Sequence, residues 1–202
     1  YGNIFDANEV VDSTKRRNIV VPVNRCFDTL VDNRIVSAQT VHGIAFSRLY
    51  ASGKYTVENL SILIDKSLKN TDYDVLSKKE KPEGKRKRYP VGTVVDLPGY
   101  ENEHFFLWAL STFDSNLKAH TSMLEYALAV QKLIESCNAD SEGFPIVLPL
   151  VGAGLSRTKK EQQDILKYLI SAFRINRIEI NSDIHIVVHN DMKDEIAIMN
   201  IK

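Results

Sequence analysis

The residues whose types and spacing best suit chemistry lie between 146 and 157, where the apolar run Ile146-Val147-Leu148-Pro149-Leu150 passes directly into Val151-Gly152-Ala153-Gly154-Leu155-Ser156-Arg157 and then into an amphipathic stretch. A strand that ends in a glycine loop and continues as a helix makes an anion cup. Glycine lets the backbone approach a ligand closely, and the free N–H groups of the loop and first helical turn face the anion's oxygens. Ser156 adds a hydroxyl donor and Arg157 a positive charge, so the ligand group expected here is a diphosphate. The alternative is a tight turn that needs two glycines for its own geometry. Two familiar phosphate motifs are excluded: no Gly-Lys-Ser/Thr follows as in a Walker loop, and Arg157 stands where a dinucleotide fingerprint needs its third glycine. Ser156 also lacks the second glycine of a nucleophile elbow, which removes it as an activated serine.

Two further loops carry polar groups where the carboxyl edge of a sheet would gather them. Val23-Asn24-Arg25-Cys26-Phe27-Asp28-Thr29 leaves the β-branched run 19–23. Asn24 offers donors and an acceptor, Asp28 accepts from ribose hydroxyls or an amine, and Phe27 can stack on a ring; Arg25 is counted with them. The alternative is an Asx-turn with Phe27 plugging the core. Ser111-Thr112-Phe113-Asp114 follows a second apolar strand, with Lys118 and His120 nearby, and helix capping is the alternative for Asp114 and for Ser122. His42 precedes Gly43 inside an expected helix, where glycine costs on the order of 1 kcal/mol and implies close packing or ligand approach. The binding residues expected from sequence are therefore Asn24, Arg25, Phe27, Asp28, His42, Thr112, Phe113, Asp114, Val151, Gly152, Ala153, Gly154, Leu155, Ser156 and Arg157, with no catalytic residue among them. His104, His185 and His189 show no metal-ligand spacing, and Cys26 and Cys137 join no CxxC or Cys/His cluster. Neither a metal nor a cofactor is expected, and the setting expected is reducing and cytoplasmic.

Holding three strand-end loops around one crevice requires a sheet with helices on both faces. Residues 1–18 read as a polar lead-in, and the strand 19–23 is expected to end near Pro22. Ser37 is read as the N-cap of a helix through about Tyr50, and Thr56 as the start of another bearing Leu60, Leu63, Ile64 and Leu68. The lysine-rich stretch 70–88 reads as a solvated, mobile insertion. Strands follow at 93–97 and 104–110, then a helix over 122–137 with Leu124, Ala127, Leu128, Leu133 and Ile134 inward, a strand at 145–150, a helix from about Lys159 to Phe173, a strand at 184–188 and a short closing strand at 196–201. The class is α/β, a mixed β-sheet flanked by helices on both faces. The 202 residues, with 26 basic and 26 acidic side chains, carry no global positive field, which excludes nucleic acid as the main partner. No apolar run approaches the roughly 18 residues of a spanning helix. The chain opens on Tyr1 rather than Met, so it is expected to be a piece of a longer protein whose missing N-terminal region carries an anchor or an output domain.

Taken together these residues resemble the macro domain, the ADP-ribose-binding fold, from about Ile19 to Val188. The order of first strand, Asn-bearing loop, Pro90-Val91-Gly92-Thr93-Val94 strand, central strand at Phe106 to Ala109 and strand–glycine loop–helix is similar to that family, whose triple-glycine run in the first loop is absent here. Val21-Pro22-Val23-Asn24, Phe27-Asp28-Thr29, Ser37, His42-Gly43, Gly92-Thr93 and Pro149 to Arg157 look like the divergent macro-type sensor domain of membrane-anchored Thoeris antiphage defence effectors. That resemblance implies a domain over 19–202 that senses an NAD-derived ADP-ribose nucleotide, a histidine-ADP-ribose conjugate in particular. It implies a TIR-domain enzyme that consumes NAD to supply the signal, and a homo-oligomeric full-length effector. The domain itself would face the cytoplasm, with the full-length protein held in the bacterial inner membrane through its missing region. The rival readings are an ADP-ribosyl hydrolase, for which only Asn24 and Asp28 offer chemistry, and a ligand-free interaction module in which the glycine loop is structural.

Overall fold

The structure, a computed structural model, describes residues 1–6, 12, 14–151, 159–177 and 179–197, apart from the side chains of 159–161. Its elements in chain order are β1 (Arg17–Asn24), α1 (Val41–Ala51), α2 (Val57–Ser67), β2 (Asp74–Val75), β3 (Lys87–Arg88), β4 (Val94–Pro98), β5 (Glu103–Phe113), β6 (Ala119–His120), α3 (Met123–Asp140), β7 (Ile146–Pro149), α4 (Lys159–Ile175) and β8 (Ile184–Val187). The main sheet runs β4-β5-β1-β7-β8, with β6 added to β5. β1 is parallel to both β5 and β7, β7 is parallel to β8, and β4 and β6 are antiparallel to β5.

Strand residues alternate between two cores, which is why the strands read as unbroken apolar runs. Ile19, Val21 and Val23 of β1 and Phe105, Leu107 and Ala109 of β5 pack with Phe46 and Leu49 of α1 and Leu60 and Ile64 of α2. Val20, Phe106, Trp108 and Leu110 face the other way, onto Tyr126, Val130 and Leu133 of α3 and Leu166 and Leu169 of α4. Trp108 settles its indole N–H by donating to the Ala129 carbonyl at 2.9 Å.

The structure moves several boundaries expected from sequence. β1 continues past Pro22 to Asn24. Arg17 N–H bonds toward β5 and Asn18 N–H toward β7, so alternation turns the position-22 nitrogen toward β7, where pairing has already ended at Ile19↔Val147. Thr40, not Ser37, caps α1. Ser37 instead forms a turn whose carbonyl accepts from the Thr40 hydroxyl at 2.7 Å. The lead-in is part of the domain, because Ile4 and Phe5 are buried in the first core. On α3 the inward stripe is Tyr126, Ala129, Val130, Leu133, Ile134 and Cys137, whereas Leu124 and Leu128 are 71% and 51% exposed. Nor is 70–88 wholly solvated, since β2 and β3 form a hairpin and Lys81 is 0% exposed. Of the closing strand expected at 196–201, Ile196 is buried in the second core outside any strand, and residues 198–201 lie outside the described residues.

Candidate ligand-binding cleft

The helix that follows β1 packs on one face of the sheet and the helix that follows β5 on the other. Adjacent parallel strands whose connections leave to opposite faces open a crevice at their carboxyl ends. A cleft of about 370 Å³ lies there. Its walls are Pro22, Val23 and Asn24 from β1, Leu110, Ser111 and Phe113 from β5, Thr40, Val41 and His42 at the start of α1, residues 34–37, residues from the β6 turn, and Val151 beyond β7.

Asn24 is divided between fold and cleft. Its Oδ1 accepts from the N–H groups of Cys26 at 3.0 Å and Asp28 at 3.4 Å, while Nδ2 is buried without a hydrogen-bond partner. That Asx-turn, an alternative already visible in the sequence, throws Phe27 into left-handed backbone at φ 50 and turns its ring into the core, edge-on to Tyr89 at 5.7 Å between centroids. Phe27 is thus no stacking platform for a ligand.

Arg25 and Asp28 are also drawn away from the cleft walls. Arg25 donates from Nε to the Tyr89 carbonyl at 2.9 Å and pairs with Glu125 at 3.1 Å; its burial lowers the guanidinium pKa. Asp28 holds the ammonium of Lys81 at 2.6 Å and the Lys85 N–H at 2.6 Å, so its carboxylate is committed to the 70–88 segment. Gly84 permits this approach, since a Cβ there would meet Asp28 Oδ1 at 2.3 Å.

His42 does line the cleft, with Phe46 edge-on at 4.5 Å. Desolvation pushes its pKa down to about 3, and Nε2 has no partner. Gly43 serves packing: a Cβ there would stand 2.0 Å from the Ser37 carbonyl oxygen. Phe113 and Val151 reach the cleft, whereas Thr112 pairs with His120 across β5 and β6 and is not in its lining. Asp114 caps no helix and accepts from the N–H groups of Asn116 at 2.8 Å and Lys118 at 2.9 Å, bonds that lower its pKa and shape the turn into β6. Ser122 makes a capping box with Glu125 at the start of α3. Gly152, Ala153, Gly154, Leu155, Ser156 and Arg157 lie outside the described residues.

Sequence reasoning missed the contribution of Arg34, Val36 and Thr40 to the wall. The segment carrying them folds back through a Val31↔Val36 bridge, and Arg34 pairs with Glu83 of the distant insertion, a contact without any local signature.

A sheet of this order, covered by helices on both faces and opening a cleft at the carboxyl ends of β1 and β5, defines a macro-type α/β domain. The profile of the family described as Thoeris protein ThsA, Macro domain, matches residues 1–189, and the chain belongs to that family. It is similar to a Thoeris protein ThsA from Bacillus amyloliquefaciens (strain Y2), 27% identical over 173 residues that make up 84% of this chain and 55% of the relative. The chain therefore spans about half the length of that relative. Among the described residues no helix is long and apolar enough to cross a membrane.

Proposed function

We propose that this domain is a sensor that binds an NAD-derived ADP-ribose nucleotide, with histidine-ADP-ribose as the leading candidate, and passes the binding event to the rest of a longer effector. The observation that carries this reading is the cleft at the β1/β5 switch point, of a size suited to a small ligand, with two buried polar atoms of Asn24 and His42 left unpartnered in its walls. In this reading residues 152–157 hold the diphosphate, adenosine lies along the segment after Ser111, and the terminal group meets Asn24 and His42. A TIR-domain enzyme that consumes NAD supplies the signal. The full-length protein is a homo-oligomer anchored in the bacterial inner membrane by a region outside this chain, and this domain faces the cytoplasm.

Binding rather than turnover is favoured by the chemistry near the cleft. An imidazole with a pKa near 3 is a poor general base at neutral pH, the Asp28 carboxylate is held by Lys81, and burial pushes the Cys26 thiol up to about 11. A thermal-shift panel of NAD, ADP-ribose, cyclic ADP-ribose isomers and histidine-ADP-ribose tests the proposal. A ligand at a hundred times its Kd stabilises by about 2.7 kcal/mol, or about 5–11 °C in a domain of this size. Failure of every ADP-ribose derivative to raise the melting temperature refutes it.

A further inference from the structure

The insertion 70–88 meets the surroundings of the cleft through contacts of very different strength. One set is buried: the Lys81 ammonium and the Lys85 N–H hold the Asp28 carboxylate, each at 2.6 Å, and Ile35 lies so close to Gly84 that a Cβ there would meet its Cδ1 at 2.6 Å. The other is the Arg34–Glu83 ion pair, whose side chains are 66% and 38% exposed. Water screens both charges of such a pair and two long side chains must be held in one geometry, so it is easily exchanged. Arg34 is also the one lysine or arginine among the described residues that line the cleft. Its backbone is fixed while its side chain is free to swing. Asp32 Oδ1 accepts from the N–H groups of Arg34 and Ile35, both at 2.9 Å, and of Val36 at 3.4 Å, which commits that neighbouring carboxylate to the loop. The guanidinium is left with Glu83 as its ion-pair partner, and its forked donors suit a phosphate or carboxylate oxygen equally well.

We infer that Arg34 reads an anionic oxygen of the ligand and that Glu83 is its built-in competitor, an autoinhibitory ion pair that the ligand must displace. This rests on the nucleotide reading above and adds to it a coupling between the cleft and the insertion. In the empty domain Glu83 holds the guanidinium. In the occupied domain a phosphate or carboxylate oxygen of the ligand takes it, and the Glu83 carboxylate is released to solvent. Lys81 and Lys85 keep the insertion on Asp28 throughout, so the exchange changes the exposed tip around Glu83 without loosening the fold. The pair also sets a threshold, because the apparent affinity falls by the fraction of domains whose Arg34 is already engaged.

Calorimetric titration of ADP-ribose and of histidine-ADP-ribose into the wild-type chain, Glu83→Gln, Arg34→Gln and the double variant tests the latch. Both altered side chains lie at the surface, where substitution leaves the fold intact. Glu83→Gln is expected to bind about 2- to 6-fold more tightly, and Arg34→Gln about 10- to 100-fold more weakly. The double variant should match Arg34→Gln, because Glu83 acts only through Arg34. Equal Arg34→Gln losses on the two nucleotides assign the diphosphate as the anion, and a loss confined to histidine-ADP-ribose assigns the carboxylate that ADP-ribose lacks. A Glu83→Gln gain that persists without Arg34 reports the general field of a carboxylate and overturns the latch. So does the lack of any gain, or an Arg34→Gln chain that binds both nucleotides as the wild type does. Each of these leaves the nucleotide reading standing. If the wild type binds neither nucleotide, that reading falls and the latch with it.

Discussion

Replacing Lys81 by methionine removes one half of an ion pair that the fold has taken out of water. The lysine is 0% exposed, its ammonium lies 2.6 Å from Asp28 Oδ2 and 2.6 Å from the Lys85 carbonyl, and the carboxylate is almost as deeply buried. Methionine fills the aliphatic volume but leaves the Asp28 charge with little beyond the Lys85 N–H. Breaking one side of a buried pair costs about 3–5 kcal/mol, mostly because a buried charge is left uncompensated. At about 2–4 °C per kcal/mol for a chain of this length, the melting temperature should fall by about 6–20 °C. Urea denaturation of the wild type, Lys81→Met, Asp28→Asn and the double variant gives the free energies directly, and the double variant should recover at least about 2 kcal/mol of the single loss because no lone charge is left. The reasoning is refuted if Lys81→Met costs less than about 1 kcal/mol, the range of exposed pairs. The segment 70–88 would then be the solvated appendage its composition suggests.

Three other outcomes are expected. Gly43→Ala should destabilise by about 1–3 kcal/mol in urea, although alanine is the better helix former by about 1 kcal/mol, because the new methyl would lie 2.0 Å from the Ser37 carbonyl oxygen; a net gain in stability would show that residues 37–38 yield freely. Gly154→Asp should remove nucleotide binding by setting a carboxylate against the phosphates, and undiminished affinity by calorimetry would rule out the diphosphate placement. The His42 pKa is depressed on folding from 6.5 to about 3, so its contribution to stability is present above pH 6.5 and is lost as pH falls toward 3. Between pH 7 and pH 5 the wild type should therefore lose about 2 kcal/mol relative to His42→Gln, and parallel urea curves for the two proteins would contradict the burial of a neutral ring.

The sheet was legible because β1, β5 and β7 are buried on both faces and carry unbroken apolar runs between polar loops. α3 was placed but phased wrongly. Met123, Leu124 and Leu128 are as apolar as the residues that go inward, and what decides the phase is Trp108, whose indole must reach the Ala129 carbonyl and whose ring meets Tyr126 at 6.0 Å. Composition misread the insertion for a different reason: one lysine of a basic run is buried by a carboxylate 53 positions earlier, and a local window holds no trace of that pairing. Within the site, Asn24, His42, Phe113 and Val151 converge because each follows a strand end or begins a helix at the same sheet edge. Phe27 leaves that group through a left-handed φ set by the Asx-turn, a competition between loop and core that the sequence left open.

Asp28 explains how such a small site keeps its geometry. Its N–H bonds Asn24 Oδ1, and its carboxylate is held by Lys81 and the Lys85 N–H. Segments far apart in sequence thus meet on one residue that does not line the cleft. The Asn24 amide orientation is fixed in part through it, with Oδ1 turned to the loop N–H groups and Nδ2 left without a partner. A side chain fixed in advance spares the about 0.5–1.5 kcal/mol that immobilising it on binding would cost. Changes at Asp28 or Lys81 should accordingly reach the ligand through the orientation of Asn24, and the insertion that composition marks as a solvated loop acts as the clamp on that orientation.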